Sequence, residues 1–197
     1  ATYGQVAKLT AADAAGGDNF GKSVAIDGGT VVVGAWGDAD GGSYSGSAYV
    51  FRTSDGGATY GQVAKLTASD AAYDDFFGCS VAIDSDTLVV GAPTYPGGGA
   101  VYAFRTTDGC ATYGQVAKLT AADSVAGDEF GCSMAISGDA VAVRASGGGS
   151  MGAVYIFRAT DGGASYEVAK LTADDGAEDG FGSAVAMDGV LVAAIQK

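Results

Sequence analysis

Histidine is absent from this chain, which removes every Ser-His, Cys-His and histidine–metal arrangement. Basic residues number only ten against 23 acidic ones, for a formal charge of −13. Nucleic acid is therefore not an expected partner, because phosphate binding depends on lysine and arginine to release counterions. Long hydrophobic runs are also missing. The longest near the C-terminus, Val190 to Ile195, is far short of the ~20 residues that span a bilayer, so direct membrane insertion is not expected. The first ten residues, ATYGQVAKLT, have neither the basic nor the apolar region of a secretory signal. Three cysteines, an odd number, leave at least one thiol without an intramolecular partner.

What is present is apolar surface and glycine. At 48% apolar and 17% charged the chain is no disordered acidic tail, which would lack the apolar surface that offsets ordering entropy. Its 34 glycines follow no strict three-residue period, so a collagen helix is excluded. They belong to a longer repeat. ATYGQVAKLT occurs at Ala1, Ala58 and Ala111, and a shortened copy, ASYEVAKLT, begins at Ala164. Phe-Gly recurs at Phe20, Phe77, Phe130 and Phe181. Two independent markers thus share a period of about 53 residues, in the range of repeat architectures.

Each period holds four short apolar runs separated by turn chemistry. In the first, Ser23 to Ile26 is followed by Asp27-Gly28-Gly29, then Thr30 to Ala35, a Gly-rich segment, Ser47 to Arg52, a second turn around Asp55-Gly56-Gly57, and Tyr60 to Thr67. Runs of this length, rich in Val, Ile, Tyr, Phe and Thr, predict strands. Asp-Gly and Gly-Gly between them predict tight hairpins. Four antiparallel strands per repeat predict an all-β fold, a β-propeller of about four four-stranded blades with the last incomplete. The units run 11–67, 68–120, 121–172 and 173–197, after a leading outer strand within 1–10. That makes 15 strands, one short of four blades, which is expected of a segment of a longer array.

The residues resemble the FG-GAP repeats of integrin alpha-chain propellers and adhesion-type proteins. Phe77-Gly78 is followed by Gly91-Ala92-Pro93, and Phe20-Gly21 by Gly34-Ala35-Trp36; the third unit departs, with Arg144-Ala145-Ser146 in that slot. The resemblance implies a propeller scaffold for protein interaction or adhesion, at the cell surface or outside the cell. It also raises calcium. The integrin-type cage lies between the first and second strands, where this chain has only Asp27-Gly28-Gly29 and its short counterparts, so that site does not carry over.

Most charges repeat with the blades. Lys8, Lys65, Lys118 and Lys170 share one slot, and Arg52, Arg105 and Arg158 another. Asp13/Asp18, Asp70/Asp75, Asp123/Asp128 and Asp174/Asp179 fit Asp-x4-Asp-x-Phe-Gly. Residues multiplied in this way read as turn builders, since aspartate accepts hydrogen bonds from nearby backbone N–H groups. One candidate metal set is confined to the first unit. There the Asp38-Ala39-Asp40 loop emerges on the same face as Asp13 and Asp18, so these four carboxylates form a candidate Ca²⁺ site.

The same loop carries Trp36 and Tyr44, and its counterpart carries Tyr95; these aromatics form a candidate surface for a protein or glycan. For Trp36, packing against the next blade stands as the alternative. Cys79 and Cys132 directly follow Phe-Gly and read as buried thiols, with Cys110 exposed in a hairpin at the opposite end. Without histidine or an unrepeated nucleophile–base pair, no enzyme activity is expected. The leading expectation is an interaction scaffold. A calcium-assisted carbohydrate-binding propeller, or a structural subunit of a larger or self-associating complex, is the alternative.

Overall fold

The computed structural model describes residues 4–94, 97–147, 152–160, 166–173, 181–189 and 191–195. Among the described residues it contains fourteen strands and no helix. β1 (Val24–Asp27), β2 (Thr30–Ala35), β3 (Ser47–Arg52) and β4 (Gly61–Leu66) form one antiparallel sheet in sequence order. β5 (Ser80–Asp84), β6 (Thr87–Ala92), β7 (Ala100–Arg105) and β8 (Gly114–Leu119) form the second. β9 (Met134–Ser137), β10 (Ala140–Ala145), β11 (Ala153–Ala159) and β12 (Tyr166–Thr172) form the third, and β13 (Ala184–Asp188) pairs only with β14 (Leu191–Ile195). This is the expected propeller architecture with an incomplete last blade.

Apolar cores lie between blades rather than within them. Val32, Ala48 and Val50 of the first blade meet Leu88, Val90, Tyr102 and Phe104 of the second. Val89, Val101 and Ala103 of the second in turn meet Val141, Val143, Tyr155 and Phe157 of the third. The second and third strands are therefore apolar on both faces, as strands covered on both sides are. Phe-Gly keys each junction. Phe77 is fully buried, with its ring edge-on to Tyr102 at 5.6 Å and Phe104 at 6.0 Å between centroids. Phe130 repeats this against Tyr155 and Phe157.

The glycines beside Phe77 and Phe130 meet the preceding blade backbone to backbone. A Cβ placed on Gly34 would lie 1.9 Å from the Gly78 carbonyl oxygen, and one on Gly91 2.1 Å from that of Gly131. Ser23 and Ser80 donate their hydroxyls to those same carbonyls. At the opposite end of the inner strands, the backbone N–H of Ser85 donates to Asp27 at 2.7 Å, that of Gly138 to Asp84 at 2.6 Å, and that of Gly189 to the Ser137 hydroxyl at 3.0 Å. Each blade is thus clasped to the next at both ends of its innermost strand.

Two expectations are corrected. Residues 4–10 form no strand, since among the described residues no third strand lies beside them to complete a ladder, although Leu9 still packs on the first blade. The onward turn is nonetheless preserved: Ala12 N–H donates to Gln62 as Ser69 N–H does to Gln115. The cysteines reverse their expected exposure. Cys110 is the buried one, while Cys79 and Cys132 are half-buried, and all three are free thiols. Cys110 is drawn inward because its N–H donates to the Thr106 hydroxyl at 3.0 Å within a closed hairpin turn.

Gly34→Ala is expected to destabilise the chain by about 3 kcal/mol, because its methyl must displace backbone rather than a side chain. Gly61→Ala, at a position with nothing within 4 Å, is expected to change stability by less than about 0.5 kcal/mol. Urea denaturation of both variants checks the pair; equal effects would overturn this account of the junction.

Candidate functional site

One face of the propeller carries the connections that hold the candidate residues. The repeated aspartate pairs divide their labour there. The second member of each pair closes its own turn: Asp18 accepts from Ala15 N–H, Asp75 from Ala72 N–H and Asp128 from Val125 N–H, at 2.7–2.8 Å. The first member reaches across to the third and fourth strands. Asp70 accepts the Tyr102 hydroxyl and the Lys118 ammonium, each at 2.7 Å, and Asp123 accepts those of Tyr155 and Lys170, each at 2.6 Å. Each ammonium also lies over its tyrosine ring, 5.2–5.3 Å from the centroid. The Lys118 ammonium, opposed by partial burial and helped by Tyr102, holds Asp70 below the usual carboxylate range. Burial and the Asp70 carboxylate push Tyr102 up to about 12.

The first blade elaborates this triad. Lys65 pairs with Asp13 at 2.6 Å, with Asp38 at 3.0 Å and with Asp40, while the Tyr49 hydroxyl turns to Asp38 at 2.8 Å. Burial alone would push Lys65 down, but its three carboxylates outweigh that and hold it above the usual lysine range. For Asp38 burial acts upward, and the Asp40 amide, Lys65 and Tyr49 together bring it below the ordinary value of 3.8. Of the four expected metal ligands, Asp13, Asp38 and Asp40 converge, with ligand atoms within 4.8 Å of one another. Asp18 does not join them, because its carboxylate closes the turn at Ala15. Calcium takes about six to eight oxygen ligands around a bare cation. Here an ammonium already sits among the carboxylates and supplies the positive charge, so the residues present do not fit a bound Ca²⁺.

Asp38 also organises the loop that presents the aromatics. It accepts from the Asp40 N–H at 3.0 Å, while its own carbonyl receives the Gly46 N–H at 2.9 Å. Trp36 stacks on Tyr44 at 5.7 Å and meets Phe76 edge-on at 5.3 Å. Trp36 packs on Phe76 of the next unit and also borders an open cavity. That cavity, about 320 Å³, is bordered by Lys22, Trp36, Phe76, Cys79, Pro93, Glu129 and Cys132. Tyr95 lies outside the described residues.

Phe76 and Tyr44 both have left-handed backbones, with φ of 54° and 57°, a conformation costly for a bulky side chain. Burial pushes the Cys79 and Cys132 thiols up, so neither is an activated nucleophile. The sequence singled out Trp36 and Tyr44 but missed Phe76, Glu129 and the placement of the thiols. A signal for them existed. The cavity draws on three repeat slots, and none of them is constant along the chain: Lys22 against Cys79 and Cys132; Asn19, Phe76 and Glu129; Trp36 and Pro93.

Comparison with known proteins gives one family. A model described as FG-GAP repeat matches residues 3–51, 60–104, 113–157 and 166–197. No curated protein matches the chain. Among solved structures, the crystal structure of Saccharomyces cerevisiae Sqt1 is similar, with a TM-score of 0.52 at 13% identity over 80% of this chain. The match spans only 37% of that protein, and at this identity it speaks to fold alone.

Lys65→Met is expected to cost about 2–3 kcal/mol, because the Asp38 side chain, only 5% exposed, loses its cation. Lys118→Met, whose partner Asp70 is 52% exposed, is expected to cost less than about 1 kcal/mol. The native pKa of Asp38 is depressed, so its contribution is present above 3.8 and lost as the pH falls through the folded value. The Lys65→Met deficit should accordingly be largest at neutral pH and shrink in acid, which denaturation across pH measures. Calcium titrated into chelator-treated wild-type protein should leave its melting temperature unchanged; a concentration-dependent rise would restore the calcium assignment.

Proposed function

The chain belongs to the FG-GAP repeat family, and from that premise we propose that it is a non-enzymatic protein-interaction scaffold whose contact surface is the aromatic-walled cavity. The observation that carries this reading is Phe76. It stands in the slot occupied by Asn19 in the first unit, and both have the same left-handed backbone. Asparagine tolerates that conformation; phenylalanine bears a cost of order 1 kcal/mol. Strain of this kind concentrates at functional sites, and here it places an aromatic ring at the cavity wall. The surrounding blades supply a rigid frame, so loops can present side chains without losing order on binding.

The adhesion-type role and surface location implied by the integrin resemblance are part of the same proposal. The calcium-assisted glycan reading gains no support, because Lys65 occupies the acidic cluster it needs. High thiol pKa values and the absence of histidine support a non-catalytic role.

Phe76→Asn provides the test, because it removes the ring while suiting the backbone. Random peptides selected on the immobilised wild-type chain should lose binding to Phe76→Asn and to Trp36→Ala, while the melting temperature of Phe76→Asn stays within a few degrees of wild type. Selected peptides that bind both variants as well as wild type, or a selection that enriches none, would sink the proposal.

A further inference from the structure

The first and third blades carry the same Tyr–Asp–Lys triad with different numbers of carboxylates around it. In the first, Asp38 sits between Tyr49 and Lys65, its Oδ2 accepting the phenol at 2.8 Å and lying 3.0 Å from the ammonium, and Asp40 is a further acidic partner. Both come from the connection between the second and third strands. In the third unit that connection, Ser146 to Gly152, contains no acidic residue. Among the described residues Lys170 accordingly pairs with Asp123 alone, at 2.6 Å, and the Tyr155 hydroxyl donates to Asp123 as well. An ammonium has three N–H donors, so Lys170 keeps capacity that Lys65 has spent. Exposure agrees, since the Lys65 side chain is 20% exposed and that of Lys170 42%.

Beside Lys170 there is room for a further acceptor. A cavity of about 110 Å³ is bordered by Asp123, Asp128, Tyr155 and Lys170, with Ala145 and Ala153 also among its walls. Its described borders all belong to the third unit, and none of them borders the aromatic-walled cavity. Asp128 does not take up the ammonium, because its carboxylate accepts the Val125 N–H at 2.8 Å and the residue is only 9% exposed. The triad also tolerates added negative charge, as the first blade gathers three carboxylates on one ammonium.

We propose that this cavity binds a small carboxylate anion, which takes the place that Asp38 fills in the first blade. One ligand oxygen accepts from the Lys170 ammonium, and the Tyr155 hydroxyl turns from Asp123 to the ligand as that of Tyr49 is turned to Asp38. The site is separate from the aromatic contact surface and stands whether or not that surface binds a partner. Size and charge both select the ligand. The volume is well below the ~300–1,000 Å³ of ordinary ligand pockets, in keeping with a single short acid whose alkyl end meets Ala145 and Ala153. A chain carrying −13 repels an acidic peptide more strongly than one monovalent anion.

Sodium acetate, ionised at neutral pH and exchanged for sodium chloride at constant ionic strength, is the probe, read in the amide NMR spectrum. The amides of Gly147, Ala153 and Tyr155 should shift saturably. Acetamide, the neutral isostere, should produce no such shift. Lys170→Gln should weaken acetate binding about tenfold, and Tyr155→Phe should weaken it by a smaller factor. Lys118→Gln, the same loss of charge in the second blade, should leave it unchanged. Asp38→Ala removes the first blade's own carboxylate and should open a second acetate site there, seen as new shifts at Gly46 and Tyr49, a gain that loss of structure does not imitate. Absence of a saturable shift in wild type, an equal response to acetamide, undiminished binding to Lys170→Gln, or no new shifts in folded Asp38→Ala would each overturn the proposal. An alternating Gly-Glu peptide that shifts the same amides at lower concentration than acetate would overturn the small-anion assignment in favour of an acidic partner segment.

Discussion

The fold depends on a backbone-to-backbone approach that only glycine permits. Where Gly34 faces Gly78, and Gly91 faces Gly131, the strands of neighbouring blades come too close for any Cβ. Everything else at a junction is arranged around that closeness. Phe77 and Phe130 drop into the space beside the glycines, the serine hydroxyls satisfy the carbonyls exposed there, and the two-faced apolar strands close against each other. The third junction shows the dependence by exception. Arg144 stands in the glycine slot, and its guanidinium turns toward the Cys132 sulfur at 3.3 Å; only the second close approach of each junction persists there, a Cβ on Gly152 lying 2.3 Å from the Phe181 carbonyl oxygen as one on Gly46 lies 2.0 Å from that of Phe77 and one on Gly99 2.2 Å from that of Phe130.

A frame held so tightly leaves variation to the positions it does not use. The Tyr–Asp–Lys triads recur in all three complete blades, each tying the loop entering a blade to that blade's outer strands. The cavity residues sit on the same face, yet their slots vary among the units, with only Cys79 and Cys132 repeating. A repeat protein can diversify such slots without disturbing its junctions, because each blade contacts only its neighbours. The strained backbones of Tyr44, Phe76 and Glu129 belong to this variable set, and the triads hold the surrounding loops while those residues depart from local preference.

Most of the architecture was legible because it is written as a period. Thr30–Ala35 and Ser47–Arg52 were predictable to the residue from apolar runs bounded by Asp-Gly and Gly-rich turns, and the Phe-Gly markers placed the junctions. The leading segment failed for a non-local reason. Its residues 4–9 are identical to β4, but a strand exists only beside a partner, and composition cannot supply one. The aspartate pairs were half legible. Asx-turn chemistry is local and was visible for Asp18, Asp75 and Asp128, whereas Asp70 and Asp123 act on lysines nearly a full repeat away. The acidic cluster was legible in part: the sequence placed Asp13, Asp38 and Asp40 on one face, where they converge, without revealing the lysine that enters among them. Glu129 and the thiols looked like unremarkable departures from a repeat until three units brought them to one cavity.

The hexapeptide Gly-Gln-Val-Ala-Lys-Leu stands at 4–9, at β4 and at β8. Three copies of one outer-strand sequence in a single chain, two of them strands and the first unpaired, mean that pairing energy alone cannot tell a blade which copy is its own. The choice falls to chain entropy: β3 reaches β4 across a short hairpin, whereas recruiting another copy closes a far longer loop, and the penalty grows only logarithmically with length. A nascent chain can therefore sample strand exchange between blades before its Phe-Gly junctions lock, a kinetic hazard of repeat proteins generally. The hairpin turn, with Asp55 accepting from Thr53 and from both the amide and the hydroxyl of Thr59, then acts as a folding guide, giving each outer strand to its own blade before a neighbour can claim it.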